Sequence, residues 1–282
     1  MKLATFIAGE RTRVGLVGGR GVVDLTARDP AWVTLRDILE RGELSLAAAH
    51  AGAVADFNFD EVRWAPVVPQ PRRLFLILLN YEEDRISQGR PKLLYPHLMA
   101  RFPDTQVGHG EPLVIPKATA EFDFEGEIAV ILGRGGFAIP RENAMEHVAG
   151  YACYNDCAAR DYMRHTRHFT AAKAFPASAG FGPWMTTADE IASVGDLKLT
   201  TRLNGEVYQT GAADGLTYPI DELIAYLSSW TRLHAGDVIA TGSPGGAGHT
   251  RVPPRWLKPG DVVQVEVAGV GVLSNPFVAQ AD

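Results

Sequence analysis

Cysteine is nearly absent from this chain: Cys153 and Cys157 are the only two. A disulfide framework needs more, so the composition points to a reducing compartment, with both thiols read as small buried fillers. Long apolar runs are missing too, and none approaches the ~20 residues that cross a bilayer. The opening segment MKLATFIAGERTRVG soon turns charged and lacks an apolar signal stretch, which predicts no secretory leader and a cytoplasmic location. Positive charge is in deficit, with 27 Lys plus Arg against 33 Asp plus Glu and a net charge of −6. Without a basic stripe, neither nucleic acid nor a membrane surface is an expected partner. No G-x-S-x-G elbow occurs, so serine hydrolysis has no support. The GGRG at residues 18–21 lacks the strand-to-helix setting of a phosphate cradle and reads as a turn.

What the chain does have is punctuation. Its 29 Gly and 18 Pro break short apolar runs, a pattern of many strands and turns. Residues 1–66 alternate apolar and polar positions around glycine turns, then give a helical stretch from about Leu35 to Ala55. APVVPQPRR is proline-rich and reads as a linker, dividing a small N-terminal unit, 1–66, from a larger one, 67–282. Strand-like segments follow: LFLILLNY, EPLVIP, FEGEIAVILG, HVAGYACYND, LKLTTRLNGEVYQ, GDVIATGSP and DVVQVEVAGVGVL. The Asn-Gly pair of LNGEVYQ predicts a hairpin. PIDELIAYLSSWTRL fits an amphipathic helix whose stripe is Ile220, Leu223, Ile224, Leu227 and Trp230.

Three carboxylates interrupt this apolar background. Residues two apart on a strand share a face, so Glu125 and Glu127 project together, with Phe124, Gly126 and Ile128 on the other side. Paired like charges in a half-buried sheet are costly unless neutralised, and a hard divalent cation is the economical neutraliser. Asp156, in GYACYNDCAARD, is the third candidate ligand.

Taken together, these segments resemble the fumarylacetoacetate hydrolase family over about residues 74–277. FDFEGEIAVILG resembles the metal-binding strand with its E-x-E ligands, and GYACYNDCAARD the segment that supplies the third carboxylate. KAFPASAGFGPWMTTADEI resembles the stretch whose lysine, here Lys173, reaches the metal and substrate; LNGEVYQTG, GDVIATGSPGGAG and LKPGDVVQVEVAGVGVLSNPF complete the order. The resemblance implies an α+β, predominantly β fold: a mixed β-roll or sandwich catalytic domain with a small N-terminal α/β domain. It also implies a homodimer and Mg²⁺, with Mn²⁺ or Ca²⁺ as alternatives for the same oxygen ligands. Substrates would be acylpyruvates, β-diketones or related 2-keto acids. It further places Thr241 of ATGSP and Arg160 of AARD at the substrate, although Arg160 reads slightly better as a brace for Asp156.

The chain departs from the family in LLNYEEDRISQG. Hydrolytic members carry N-Y-x-x-H-x-x-E there, a pair that activates water; this chain has Asp84 and Ser87 at those positions. Met163 stands where many members have Gln, and Arg101 where many have Lys. The expected base is therefore Asp84, or neighbouring Glu82 or Glu83, with Lys173 as the second catalytic group and Tyr81 and Arg101 beside the substrate. The leading expectation is metal-dependent hydrolysis of a carbon–carbon bond. Decarboxylation or keto–enol isomerisation follows closely, because neither needs the missing water-activating pair. A binding-only relative is the third reading. His165 and His168, three apart without cysteine or a glutamate base, are a weak zinc pair and read as surface or lid residues, whereas His109 and His249 read as solvated loop residues.

Overall fold

The structure, a computed structural model, describes residues 1–281. Two sheets stack on one another. The larger has eleven strands, and its main path runs Gly21–Asp24, Arg11–Gly18, Lys2–Ala8, Ala179–Thr187, Val148–Asp156, Gly126–Leu132, Val238–Ala240, Leu74–Leu78, His97–Ala100. The smaller has five, in the order Glu206–Ala212, Lys198–Leu203, Val262–Val267, Gly271–Ala279, Leu113–Ile115. Antiparallel and parallel pairs mix, and β structure predominates, at 36% strand against 23% helix.

The strand Gly126–Leu132 is buried at every position, because both faces of the large sheet are covered. Ile128, Val130 and Leu132 join Leu199, Val263, Val265 and Leu273 in the core between the sheets. Ala129 and Ile131 point the other way, into a second core with Leu3, Val14, Ile38 and Leu39. The period-two side-chain alternation thus links one strand to two cores.

The N-terminal strands enter the large sheet directly, with Lys2 opposite Thr186 and Leu3 opposite Met185. The stretch expected as one helix from Leu35 to Ala55 is two short helices, Leu35–Arg41 and Leu44–Ala48. Gly42 separates them at φ 69°, a left-handed cap that a glycine takes without strain. APVVPQPRR does not behave as a solvated linker: Val67 and Val68 are fully buried in the second core. The Asn204–Gly205 turn forms as expected, both residues having positive φ, and joins Lys198–Leu203 to Glu206–Ala212. The helix Ile220–Trp230 buries Ile220, Leu223, Ile224 and Leu227, but Trp230 is half exposed and packs edge-on against Phe75 at its rim. No helix among the described residues is long and apolar enough to cross a membrane.

Candidate metal centre

Strand register builds the centre. Gly126 lies opposite Asn155 and Glu127 opposite Tyr154. One step further Glu125 faces Asp156, whose N–H donates to the Glu125 carbonyl at 2.7 Å. Opposed residues share a face, and Glu127 is one strand repeat along that same face. One carboxylate oxygen from each of Glu125, Glu127 and Asp156 lies within 4.8 Å of the others. Gly126 between the two glutamates lets the strand close on the second sheet: a Cβ there would sit 1.9 Å from Thr201 Oγ1. Its N–H donates to Gln209 Oε1 at 2.9 Å.

Three buried cations surround the trio. Lys173 Nζ donates to Glu125 Oε2 at 2.5 Å, to the Asp156 carbonyl at 3.0 Å and to the Asp156 carboxylate. Arg101 donates to the other Asp156 oxygen, to the Cys157 carbonyl, to Ser178 Oγ and to Thr105 Oγ1. Arg160 Nη2 is 2.7 Å from Glu125 Oε1 and 2.9 Å from Asp123 Oδ2. Burial alone would raise the Glu125 carboxyl, but Arg160 and then Lys173 outweigh it and hold the group at about 2. Glu127 differs. Burial first, then the Asp156 and Glu125 charges, push its carboxyl well above the usual range; Lys173 and the Gly242 N–H, 2.9 Å from Oε2, do not offset them. An all-oxygen trio with one insufficiently compensated carboxylate fits a hard divalent cation.

A cavity of about 530 Å³ opens over this cluster, with Glu125, Glu127, Lys173, Arg160, Asp84 and His249 among the residues of its wall. The sequence-predicted residues distribute unevenly around it. Asp84 faces the cavity, accepts from Gln88 Nε2 at 2.7 Å and abuts Gly245. Glu82 does not reach it, because its carboxylate is taken by Arg85 at 2.5 Å and by the Thr217 hydroxyl at 3.0 Å. Glu83, one position on in the helix Glu82–Ser87, is likewise absent from the cavity wall. Tyr81 lies in the core between the sheets, its hydroxyl buried without a hydrogen-bond partner. Arg101 is sealed behind Asp156, away from the cavity, since its donors are consumed by protein acceptors. Arg160 does reach the cavity wall, but braces Glu125 and Asp123 rather than Asp156. The Thr241 hydroxyl is spent on the Ile128 carbonyl at 3.0 Å, so the residues after it, Ser243 to Ala247, line the cavity instead. His165 packs at a tilt against Tyr162, and among the described residues the carboxylate trio is the one group of three or more ligand side chains brought together. His109 is half-buried and accepts from the Ser274 N–H at 3.1 Å, so it is not simply solvated.

Sequence reasoning missed Asp123. It is the next residue back on the period-two pattern of Glu125 and Glu127, which was the available signal. Fully buried, it takes Arg160 Nε at 3.0 Å and His249 Nδ1 at 2.8 Å.

The family described as fumarylacetoacetate hydrolase C-terminal matches residues 74–278. The human mitochondrial protein oxaloacetate tautomerase FAHD2A is 34% identical over 281 residues, 98% of this chain and 90% of its own. A putative HpcE protein from Mycobacterium smegmatis superposes with a TM-score of 0.88 at 32% identity, covering 100% of both chains. Maleylpyruvate hydrolase from Sphingobium sp. SYK-6, in complex with manganese(II) and pyruvate, superposes with a TM-score of 0.83 at 25% identity, again over 100% of both.

Proposed function

The chain belongs to the fumarylacetoacetate hydrolase family, and on that footing we propose that it is a divalent-metal-dependent keto–enol tautomerase of a small 2-keto dicarboxylic acid such as oxaloacetate. The observation that carries this reading is the helix Glu82–Ser87. It presents Asp84 to the cavity but no histidine–glutamate pair, and the Ser87 hydroxyl is turned onto the Asp84 carbonyl at 2.9 Å. In hydrolytic members that pair is the one that activates water, whereas enolisation needs only a proton acceptor and charge stabilisation at the keto oxygen. The relatives named oxaloacetate tautomerase, at 34% identity over nearly the whole chain, point the same way.

Glu125, Glu127 and Asp156 would hold Mg²⁺ or Mn²⁺, which would supply Lewis acidity at the keto oxygen. Lys173 adds a fixed positive charge beside that oxygen. Arg90, in the cavity wall, suits a carboxylate of an anionic substrate, whereas Arg164 there is already paired with Glu121. Arg101 and Arg160 set the orientation of the acidic side chains. A homodimer completes the proposal.

The test is an oxaloacetate keto–enol equilibration assay with Mn²⁺ and with EDTA, run beside CO₂ release and acylpyruvate cleavage. Metal-dependent acceleration of enol–keto exchange without cleavage supports the reading. The similarity to a maleylpyruvate hydrolase keeps carbon–carbon hydrolysis as the second reading, and two acid products from an acylpyruvate would establish it in place of tautomerisation. Metal binding without turnover of any of these compounds would leave a binding protein.

A further inference from the structure

Resting on the tautomerase reading, we propose that His249, oriented by Asp123, is the catalytic residue that moves the substrate proton. His249 stands on the 3-10 turn Gly248–Thr250, in the cavity wall shared with Glu125 and Lys173. Its Nδ1 lies 2.8 Å from Asp123 Oδ2. Asp123 has no freedom to turn away. Oδ2 also takes Arg160 Nε at 3.0 Å and the His249 N–H at 3.2 Å, while Oδ1 takes the Gly248 N–H at 2.9 Å. An ionised carboxylate only accepts, so the ring nitrogen facing it carries the hydrogen, and in the neutral imidazole the lone pair is then on Nε2. No partner engages Nε2 among the described residues, and the side chain is 39% exposed at the cavity.

The turn is built to hold this orientation. A Cβ on Gly248 would lie 2.1 Å from the Arg255 carbonyl and 2.7 Å from Asp123 Oδ1, so glycine lets the loop close onto the buried acid. The Thr250 hydroxyl ties back to the Ala247 carbonyl at 2.7 Å. A ring nitrogen fixed by a carboxylate, its opposite nitrogen free, is the arrangement that other enzymes use to aim a general base. The charged groups around it are Asp123, Arg160 beyond it, and, elsewhere in the cavity wall, Asp84, Arg90, the Arg164–Glu121 pair, Glu125, Glu127 and Lys173.

The step balances without an external reagent. Nε2 takes a proton from the carbon next to the keto group. The C–H electron pair becomes the carbon–carbon double bond, and the carbonyl pair moves onto oxygen. The imidazolium then returns the proton to that oxygen, giving the enol. Hydrogen has moved from carbon to oxygen and nothing is oxidised.

Steady-state kinetics of oxaloacetate tautomerisation by wild type and H249Q, with Mn²⁺ titration of both, test the inference. A fall in kcat of about 100-fold or more in H249Q, with KM and Mn²⁺ affinity within about threefold, supports it. Equal kcat in a tautomerising wild type overturns it alone, whereas a wild type that binds Mn²⁺ but does not tautomerise overturns it together with the reading beneath. ¹⁵N spectra of the imidazole in the full chain with Mg²⁺, assigned by their loss in H249Q, give an independent readout. Protonated Nδ1 with bare Nε2 at alkaline pH supports the assignment, and the opposite tautomer overturns it.

Discussion

Lys173 Nζ sits 2.5 Å from Glu125 Oε2 and at the same time donates to both the side chain and the carbonyl of Asp156. One buried ammonium therefore spans two of the three carboxylates on neighbouring strands. Burial opposes its charge, yet Asp156 and Glu125 more than compensate and raise the Lys173 pKa above the ordinary lysine value.

Replacing that ammonium, as in K173M, strips a partner from each acid. Arg101 still holds Asp156 and Arg160 still holds Glu125, so the cost falls at the lower end for a broken buried pair, about 3 kcal/mol. Urea denaturation of the metal-free protein measures it. Saturating Mn²⁺ is expected to recover part of the loss, while turnover drops about 100-fold or more.

Glu127 carries the opposite sign. Its folded-state pKa is raised, so the metal-free fold binds a proton that the unfolded chain has lost above about 4.5. Its contribution to stability is full below that value and fades as pH rises through the raised one. Metal-free E127Q is expected to lose this decline with rising pH in thermal denaturation scans. Because metal and proton compete for the wild-type carboxylate, Mn²⁺ affinity should rise with pH in wild type. In E127Q it should be at least about 100-fold weaker and flatter, as calorimetry would show.

Arg101 tests the difference between charge and shape. R101K keeps a cation but loses the planar fork that reaches Asp156, Ser178 and Thr105 together. Mn²⁺ affinity should fall about 10- to 100-fold, the usual cost of losing an outer partner of a ligand. A drop in substrate affinity with unchanged metal binding would instead place this guanidinium at the substrate.

Gly126 has no room for a side chain. G126A forces a methyl to within 1.9 Å of Thr201 Oγ1, and the strand must move off the second sheet. We expect about 2 to 3 kcal/mol of destabilisation in denaturant titrations and weaker metal binding, since both flanking glutamates shift with the strand.

Much of this architecture is legible in residue order. Alternation from Phe122 to Leu132 sorts side chains onto two faces, and the structure keeps that sorting through both cores. The acidic trio follows from the same alternation plus one partner strand. The strand Ala179–Thr187 is absent from the strand-like segments of the sequence, and it contains Gly180, Gly182 and Pro183, residue types that disfavour a strand. In the fold, a Cβ on Gly180 would meet Asn275 Oδ1 at 2.4 Å, so that glycine serves close sheet packing; Pro183 falls where the ladder with Val148–Asp156 shifts register. Arg101 and Thr241 show another limit. Residue type reveals a donor, but only the fold reveals that Asp156 and the Ile128 carbonyl have already claimed it. Asp123 and His249 are far apart in the chain, and their contact exists only because the Gly248 loop folds back over the Phe122–Asp123 strand.

The pairing of Lys2 with Thr186 and of Leu3 with Met185 has a consequence for biogenesis. A ribosome delivers this strand long before Ala179–Thr187 exists, so although Arg63–Trp64 can cover Phe6 and Ile7 early, the Lys2–Leu3 end of that edge stays open until the chain has grown past Thr186. Such late closure predicts slow folding dominated by distant contacts. It also makes that early, sticky edge the natural place for a chaperone to hold.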